Sequence, residues 1–171
     1  MLHPGEGALN QADTTGIRSG EVINPAEVQN DAFVQFIGTI RTPFTTRDLC
    51  PRQGALDGPD CRLEVLPEWQ AALKGIEKFA MLDVLYWLHE SRRDLVLQSP
   101  KNTGNTVGTF ALRSPVRPNP IGLSQVRLIR VEDGAVIVKG LDCLDKTPLI
   151  DIKPNRCEYT PEAPFKAADQ A

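Results

Sequence analysis

Histidine is scarce in this sequence: only His3 and His89 occur, and the four cysteines Cys50, Cys61, Cys143 and Cys157 stand apart with no C-x-x-C pair. Metal-ligand spacing is therefore missing, and no zinc site is expected. No apolar run reaches the length of about 18 residues that a spanning helix needs, so no membrane helix is expected. The opening MLHPGEGALNQADTTG has no basic stretch followed by an apolar one. It is not read as a secretory signal, and the cysteines are expected to be reduced thiols of a cytoplasmic protein. The glycine fingerprints G-x-G-x-x-G and G-x-x-x-x-G-K-[ST] are also missing, and Gly104-Asn105-Thr106-Val107-Gly108 reads as a loop entry. This disfavours a dinucleotide-type Rossmann site and a P-loop. There is no internal repeat.

What remains is an ordinary soluble composition, with 41% hydrophobic and 24% charged residues over 171 positions, enough for one domain with its own core. Nineteen Lys and Arg against 22 Asp and Glu give a net charge of −3, which alone argues against a nucleic-acid partner. Placement reverses that weight. Residues 92–130 hold Arg92, Arg93, Lys101, Arg113, Arg117, Arg127 and Arg130 against Asp94 alone, so this segment carries +6 and the rest of the chain −9. A basic centre in an acidic chain is a candidate phosphate-facing surface.

The chain divides into an N-terminal arm over 1–31, a folded unit over 32–158 and a tail over 159–171. Arm and tail are poor in large apolar residues and punctuated by Gly and Pro, so they are expected to be weakly structured. Inside the folded unit strand signals dominate. Phe33–Ile40, Val107–Leu112, Leu123–Val131 and Ala135–Leu141 are β-rich, and Asp133-Gly134 between the last two predicts a hairpin. The apolar run Ala80–Leu88 predicts a buried strand. Pro67, Trp69, Ala72, Leu73 and Ile76 predict one helix, weakened at its end by Gly75. Short strands with one short helix and no βαβ alternation predict a mainly β fold, a single small barrel.

Four polar stretches between these elements can carry chemistry. Pro51-Arg52-Gln53-Gly54 lies in a long loop, where Arg52 offers a fixed fork of donors and Gly54 permits close backbone approach. His89-Glu90-Ser91 follows the buried strand, and His89 can accept a proton near neutrality. Arg113-Ser114-Pro115-Val116-Arg117-Pro118-Asn119-Pro120 has three prolines in six residues, from Pro115 to Pro120. The result is a stiff loop presenting Arg113, Arg117 and Asn119. Leu141-Asp142-Cys143-Leu144-Asp145-Lys146-Thr147-Pro148 and Asp151 bring three carboxylates close in sequence, suited to hydroxyls, ammonium groups or base catalysis. Solvated loops, a strand-end histidine and ordinary turns would use the same residue types.

Several stretches together resemble one family. They are Ile37-Gly38-Thr39-Ile40-Arg41-Thr42-Pro43, Pro51-Arg52-Gln53-Gly54, Lys74–Phe79 and Trp87-Leu88-His89. To these are added Gly108–Ser124, with its Arg-Ser-Pro and Arg-Pro-Asn-Pro-Ile-Gly, and Asp145–Pro154. The chain resembles the TsaA-like (YaeB/VirR) family of tRNA N6-methyltransferases over about 33–155, with the proline-rich stretch the most specific part. The resemblance implies a small β-barrel with one or two short helices that binds S-adenosylmethionine, acts as a homodimer without metal, and methylates N6 of threonylcarbamoyladenosine beside the anticodon of a tRNA. By motif position it implies cofactor contacts at Arg52, Gln53, Gly54, His89, Glu90, Arg113, Leu123, Leu141, Asp142, Cys143 and Leu144. One departure stands out: the family's common Asp-Gly-Thr-Pro reads Asp145-Lys146-Thr147-Pro148 here. Family members often carry a further C-terminal region, whereas this sequence reads to Ala171. Arg117 and Asn119 are the expected RNA contacts, and in a homodimer two copies of the basic segment would line one RNA-facing surface.

Methyl transfer from a sulfonium needs an in-line approach and a proton acceptor for the nucleophilic nitrogen. His89, Asp142 and Asp145 are the candidate acceptors, and the residues alone do not choose among them. The rival readings are a module that binds S-adenosylmethionine without turnover and a metal-dependent hydrolase. The second is poorly served by the lone His89.

Overall fold

A computed structural model describes residues 16–26 and 31–155. The rest of the expected arm and the expected tail over 159–171 lie outside the described residues, as do His3 and Cys157.

Among the described residues the mainly β expectation is met by nine strands: β1 (Val22–Ile23), β2 (Gly38–Arg41), β3 (Cys61–Val65), β4 (Met81–Trp87), β5 (Leu95–Gln98), β6 (Val107–Gly108), β7 (Ile121–Glu132), β8 (Ala135–Lys139) and β9 (Thr147–Pro154). Six of them close into an antiparallel barrel in the order β2-β3-β8-β7-β4-β9, and β1-β5-β6 form a small separate sheet. Among the described residues no helix is long and apolar enough to cross a membrane.

The barrel follows from alternation. Along β3, Cys61, Leu63 and Val65 point inward while Arg62 and Glu64 point out. In β4, Leu82, Val84 and Tyr86 are the inward set. Ile40, Leu63, Leu82, Val84, Val126, Val136, Val138 and Leu149 are wholly buried and fill the interior with side chains, as a small barrel requires. Each such aliphatic contributes about 1.5–3 kcal/mol by leaving water. The Asp133-Gly134 hairpin forms as expected, joining β7 and β8 through Glu132↔Ala135.

Three local expectations shift. Of Phe33–Ile40 only the end is paired strand: Ile37 continues the pairing of β2 through its N–H to Leu149 O and its carbonyl, which accepts from Leu66 N, whereas Phe33 is 97% exposed. Val107–Leu112 pairs for two residues and then tightens into a 3₁₀ turn over Thr109–Ala111. The helix at 67–76 forms as two 3₁₀ segments, Pro67–Leu73 and Ile76–Lys78, divided at Gly75 with φ 92°. Leu73, Ile76 and Phe79 pack on the barrel core as a lid over one end. Three apolar anchors in so short a span are served by the longer rise of a 3₁₀ turn.

Charge on the outer wall is paired both between strands and along them. Arg41 Nε donates to Glu64 Oε2 at 2.8 Å, Arg62 pairs with Glu132, and Arg130 Nε meets Glu132 Oε1 at 2.9 Å. Asp60 receives Arg130 at 3.3 Å and Lys139 at 3.6 Å. Part of the segment read as an arm is laid down as β1 on β5. Arg18 donates to Ser99 O at 3.0 Å and Glu21 Oε1 accepts from Ser99 N at 2.9 Å.

Candidate functional site

The strand register gathers the four polar stretches at one barrel mouth. β2 runs out beside the start of β3, with Arg41↔Arg62, so the 42–60 loop lies there. β4 ends where β7 begins, with Trp87↔Ile121, which brings His89-Glu90 to the proline-rich loop. β9 starts beside the end of β2, with Thr147↔Ile40, and so carries the 140–146 segment to the same mouth. The opposite end holds the 3₁₀ lid and the β7–β8 hairpin. Two grooves there, of about 400 and 520 Å³, are lined by residues 70–80 and 128–134 and contain none of the residues expected to be functional.

At the centre of the mouth is Asp142. Its Oδ1 accepts from Tyr86 Oη at 2.6 Å and from Ser124 Oγ at 2.9 Å, and the two hydroxyls lie 2.8 Å apart. Oδ2 accepts no hydrogen bond among the described residues. Tyr86 is 4% exposed, and burial, reinforced by the Asp142 carboxylate, pushes its phenol pKa far up. Tyr86 therefore stays a neutral donor. Gly122 is what lets the ring sit there, since a Cβ at that position would lie 2.1 Å from Tyr86 Cε2. A register shift between Leu85 and Tyr86 against β9 breaks the ladder beside the ring.

The 42–60 loop docks onto the same segment. A Cβ on Gly54 would lie 1.7 Å from Gly140 O, so glycine allows the loop backbone to seat against Gly140-Leu141. Leu141 and Cys143 are 2% and 1% exposed and point into the core, leaving their backbone at the mouth. Thr42 Oγ1 donates to Cys143 O at 3.0 Å and helps hold that segment.

Asp145 differs from Asp142. Its Oδ1 accepts from Thr42 N at 3.2 Å and its Oδ2 lies 3.8 Å from Arg41 Nη1, so its carboxylate anchors the turn before β9. The following Lys146, where the family commonly has glycine, adopts φ 65°. Asp151 is farther along β9, opposite Leu85, and its Oδ1 accepts from Ile152 N. His89 stands at the rim with Nε2 3.9 Å from Glu90 Oε1. Arg52 and Gln53 are exposed on the loop.

The proline-rich loop is braced rather than free. Arg113 Nη2 donates to Leu123 O at 3.3 Å, and Arg117 Nη1 donates to Leu112 O at 2.6 Å. Arg93 Nε donates to Pro118 O at 2.7 Å and its guanidinium lies 5.4 Å from the Trp87 ring centre. Asn119 is exposed.

Burial raises the thiol pKa of Cys50, Cys61 (to about 11) and Cys143, so all three stay protonated and weakly nucleophilic. Among the described residues no three His, Cys, Asp or Glu side chains group as metal ligands. Sequence reasoning overlooked Tyr86 and Ser124. Tyr86 was absorbed into an apolar run. Ser124 had a detectable signal: it is a polar residue on the inward phase of β7, between Gly122 and Val126.

The family model for the tRNA-methyltransferase O N-terminal domain matches residues 39–161. The chain is 50% identical over 164 residues to a protein of Rhizobium radiobacter named "Probable S-adenosyl-L-methionine-binding protein VirR", covering 94% of each. It is 30% identical over 145 residues to the human tRNA (adenine(37)-N6)-methyltransferase, covering 80% of this chain and 33% of that one. A crystal structure of TrmO from Pseudomonas aeruginosa superposes with TM-score 0.61 at 32% identity, over 80% of this chain and 62% of that one. The chain thus spans a third of the human relative and somewhat under two thirds of the solved one.

Proposed function

Because the chain belongs to the tRNA-methyltransferase O N-terminal domain family, we propose that it moves a methyl group from S-adenosylmethionine to N6 of threonylcarbamoyladenosine in a tRNA anticodon loop. The observation that carries this reading is the meeting of Arg52–Gly54, His89-Glu90, Arg113, Leu123 and Leu141–Leu144 at one mouth, around a carboxylate with an uncommitted oxygen. Their chemistry suits the donor. The Arg52 or Arg113 fork fits its carboxylate, and backbone carbonyls of 141–144 fit its ammonium and ribose hydroxyls. Exposed Leu56 and Leu123 offer apolar surface to its adenine. When bound, S-adenosylmethionine supplies an electrophilic methyl on a sulfonium.

The chain's own task is to align N6 and receive its proton. Asp142 is the preferred base among the three candidates. Two hydroxyl donors fix Oδ1 in place, while Oδ2 is left to accept the N6 proton as the nitrogen–methyl bond forms and the sulfur–methyl bond breaks. Asp145 is committed to Thr42 and Arg41, and His89 stands at the rim. Arg117 and Asn119 face the RNA in this reading. Assembly as a homodimer is supported by the outward face of β7, where Ile121 and Leu123 are 41% and 48% exposed.

The test is incubation with methyl-labelled S-adenosylmethionine and tRNA that carries or lacks the threonylcarbamoyl group, followed by nucleoside mass spectrometry. Label on N6 of the modified adenosine alone supports the reading. Cofactor binding with no label on either RNA makes the chain a binding module instead, the reading that the name of its Rhizobium relative favours.

A further inference from the structure

Phe110 is 80% exposed although it sits on a rigid support. Its 3₁₀ turn over Thr109–Ala111 is pinned from below: Thr109 is 3% exposed and its Oγ1 donates to Leu95 O at 2.7 Å. Gln98 Nε2 donates both to Thr109 Oγ1 at 2.9 Å and to Val116 O at 2.8 Å, tying the turn and the proline-rich loop to the small sheet. The Arg117 guanidinium lies over the ring, 5.8 Å from its centre, and is itself anchored to Leu112 O. A large ring is thus held out into water with a cation beside it and little freedom left to lose.

A single exposed aromatic is unremarkable in itself. An exposed ring paired with a guanidinium, on a proline-stiffened loop within a +6 segment, matches the chemistry of one class of partner. Unpaired nucleobases stack on aromatic and guanidinium planes, and the neighbouring phosphate is drawn to the cation. We propose that Phe110 and Arg117 form a stacking platform for one unpaired base of a single-stranded RNA loop, next to the base that enters the mouth. This deepens the methyltransferase reading and rests on it for the identity of the RNA. The stacking itself does not depend on turnover.

The experiment uses the full chain and the variants Phe110→Leu and Phe110→Trp, with thermal melts to verify folding. Binding of a single-stranded RNA of anticodon-loop length is measured by fluorescence titration. Leucine keeps apolar bulk but cannot stack, so the affinity of Phe110→Leu should fall about tenfold. Phe110→Trp should bind at least as tightly as the parent, with its added indole emission quenched on RNA addition beyond that of Trp69 and Trp87. Equal affinity of the leucine variant and the parent would overturn the proposal. So would loss of a dimer on sedimentation of Phe110→Leu, since a second copy would then be what covers the ring. Methylation is scored separately. Quenching without methylation by the parent keeps the platform and removes the enzyme, whereas methylation unaffected by Phe110→Leu does the reverse.

Discussion

The outer wall of β3, β8 and β7 and the loops at the barrel mouth are both arginine-bearing, yet they hold arginine in different ways. On the wall, Arg41 meets Glu64 of the adjacent β3, Arg62 meets Glu132 across β8, and Arg130 meets Glu132 of its own strand and Asp60 just before β3. At the mouth, Arg93, Arg113 and Arg117 have no carboxylate within 4 Å among the described residues. Backbone carbonyls and aromatic rings hold them instead. A cation matched by an anion is electrostatically spent, while one aligned by carbonyls keeps its full charge for a partner. The +6 of residues 92–130 is therefore not uniform. Arg92 is answered by Asp94, and Arg130 by Asp60 and Glu132, so the charge that remains is concentrated around the proline-rich loop. The contrast leaves the wall's arginines neutralised and the mouth's available to a partner, and each half of it can be tested separately.

The largest effect is expected at Asp142. Asparagine keeps an Oδ1 that accepts from Tyr86 and Ser124, so Asp142→Asn should leave the melting temperature near the parent's. By removing the proton acceptor it should lower kcat by about 10²-fold or more. Asp145→Asn and His89→Gln should cost much less. If Asp142→Asn turns over normally while His89→Gln does not, the base sits at the rim and the centre of the mouth only binds.

Next in size is the loop cation. Arg117→Ala should weaken tRNA binding about tenfold and reduce the salt dependence of binding by about one counterion, with S-adenosylmethionine affinity unchanged. The matched change on the wall, Arg62→Ala, should leave RNA binding as it was. Equal losses from the two would mean that RNA senses net charge only, and the distinction between spent and available arginines would fall.

The sequence made some of this legible and hid the rest for physical reasons. The β7–β8 hairpin and the buried β4 could be read because Asp133-Gly134 and the run Ala80–Leu88 are local signals. The helix at 67–76 came out as 3₁₀ because its three apolar anchors answer to the barrel end rather than to a helical period. At the site, every stretch singled out by polarity reached one mouth, but their roles could not be read. Asp142 and Asp145 are indistinguishable in sequence, and only pairing across the barrel gives one of them Tyr86 and Ser124 and the other Thr42 and Arg41. Such non-local partners leave no spacing to detect.

The mouth also carries strain that the wall does not. Lys146 holds φ 65° while its N–H donates to Ile40 O at 2.8 Å, so the hydrogen bond at the start of β9 keeps a left-handed residue in place. A side chain there costs about 1–2 kcal/mol, part of which glycine returns as unfolded-chain entropy. Lys146→Gly should therefore stabilise the chain by about 0.5–1 kcal/mol in urea melts. A destabilised variant would show that the lysine side chain contributes more than its backbone costs.

The smallest effect belongs to the wall, and its pH dependence identifies it. The hydrogen bond from Arg62, aided by Arg130, holds the Glu132 carboxyl below its ordinary pKa of 4.5. A carboxylate whose pKa is lower folded than unfolded adds stability above the unfolded value, and loses it as pH falls through the folded one. Glu132→Gln should therefore melt slightly earlier than the parent at pH 7. The gap should close as the pH drops below 4.5, with turnover and RNA affinity unaffected. Exposure and salt screening keep the gap small, so it should shrink further at high ionic strength. A gap that persists at acid pH would mean that Glu132 contributes packing rather than charge. A loss of turnover would mean that the paired wall and the unpaired mouth are coupled, and that the barrel passes charge changes on its outside through to Asp142.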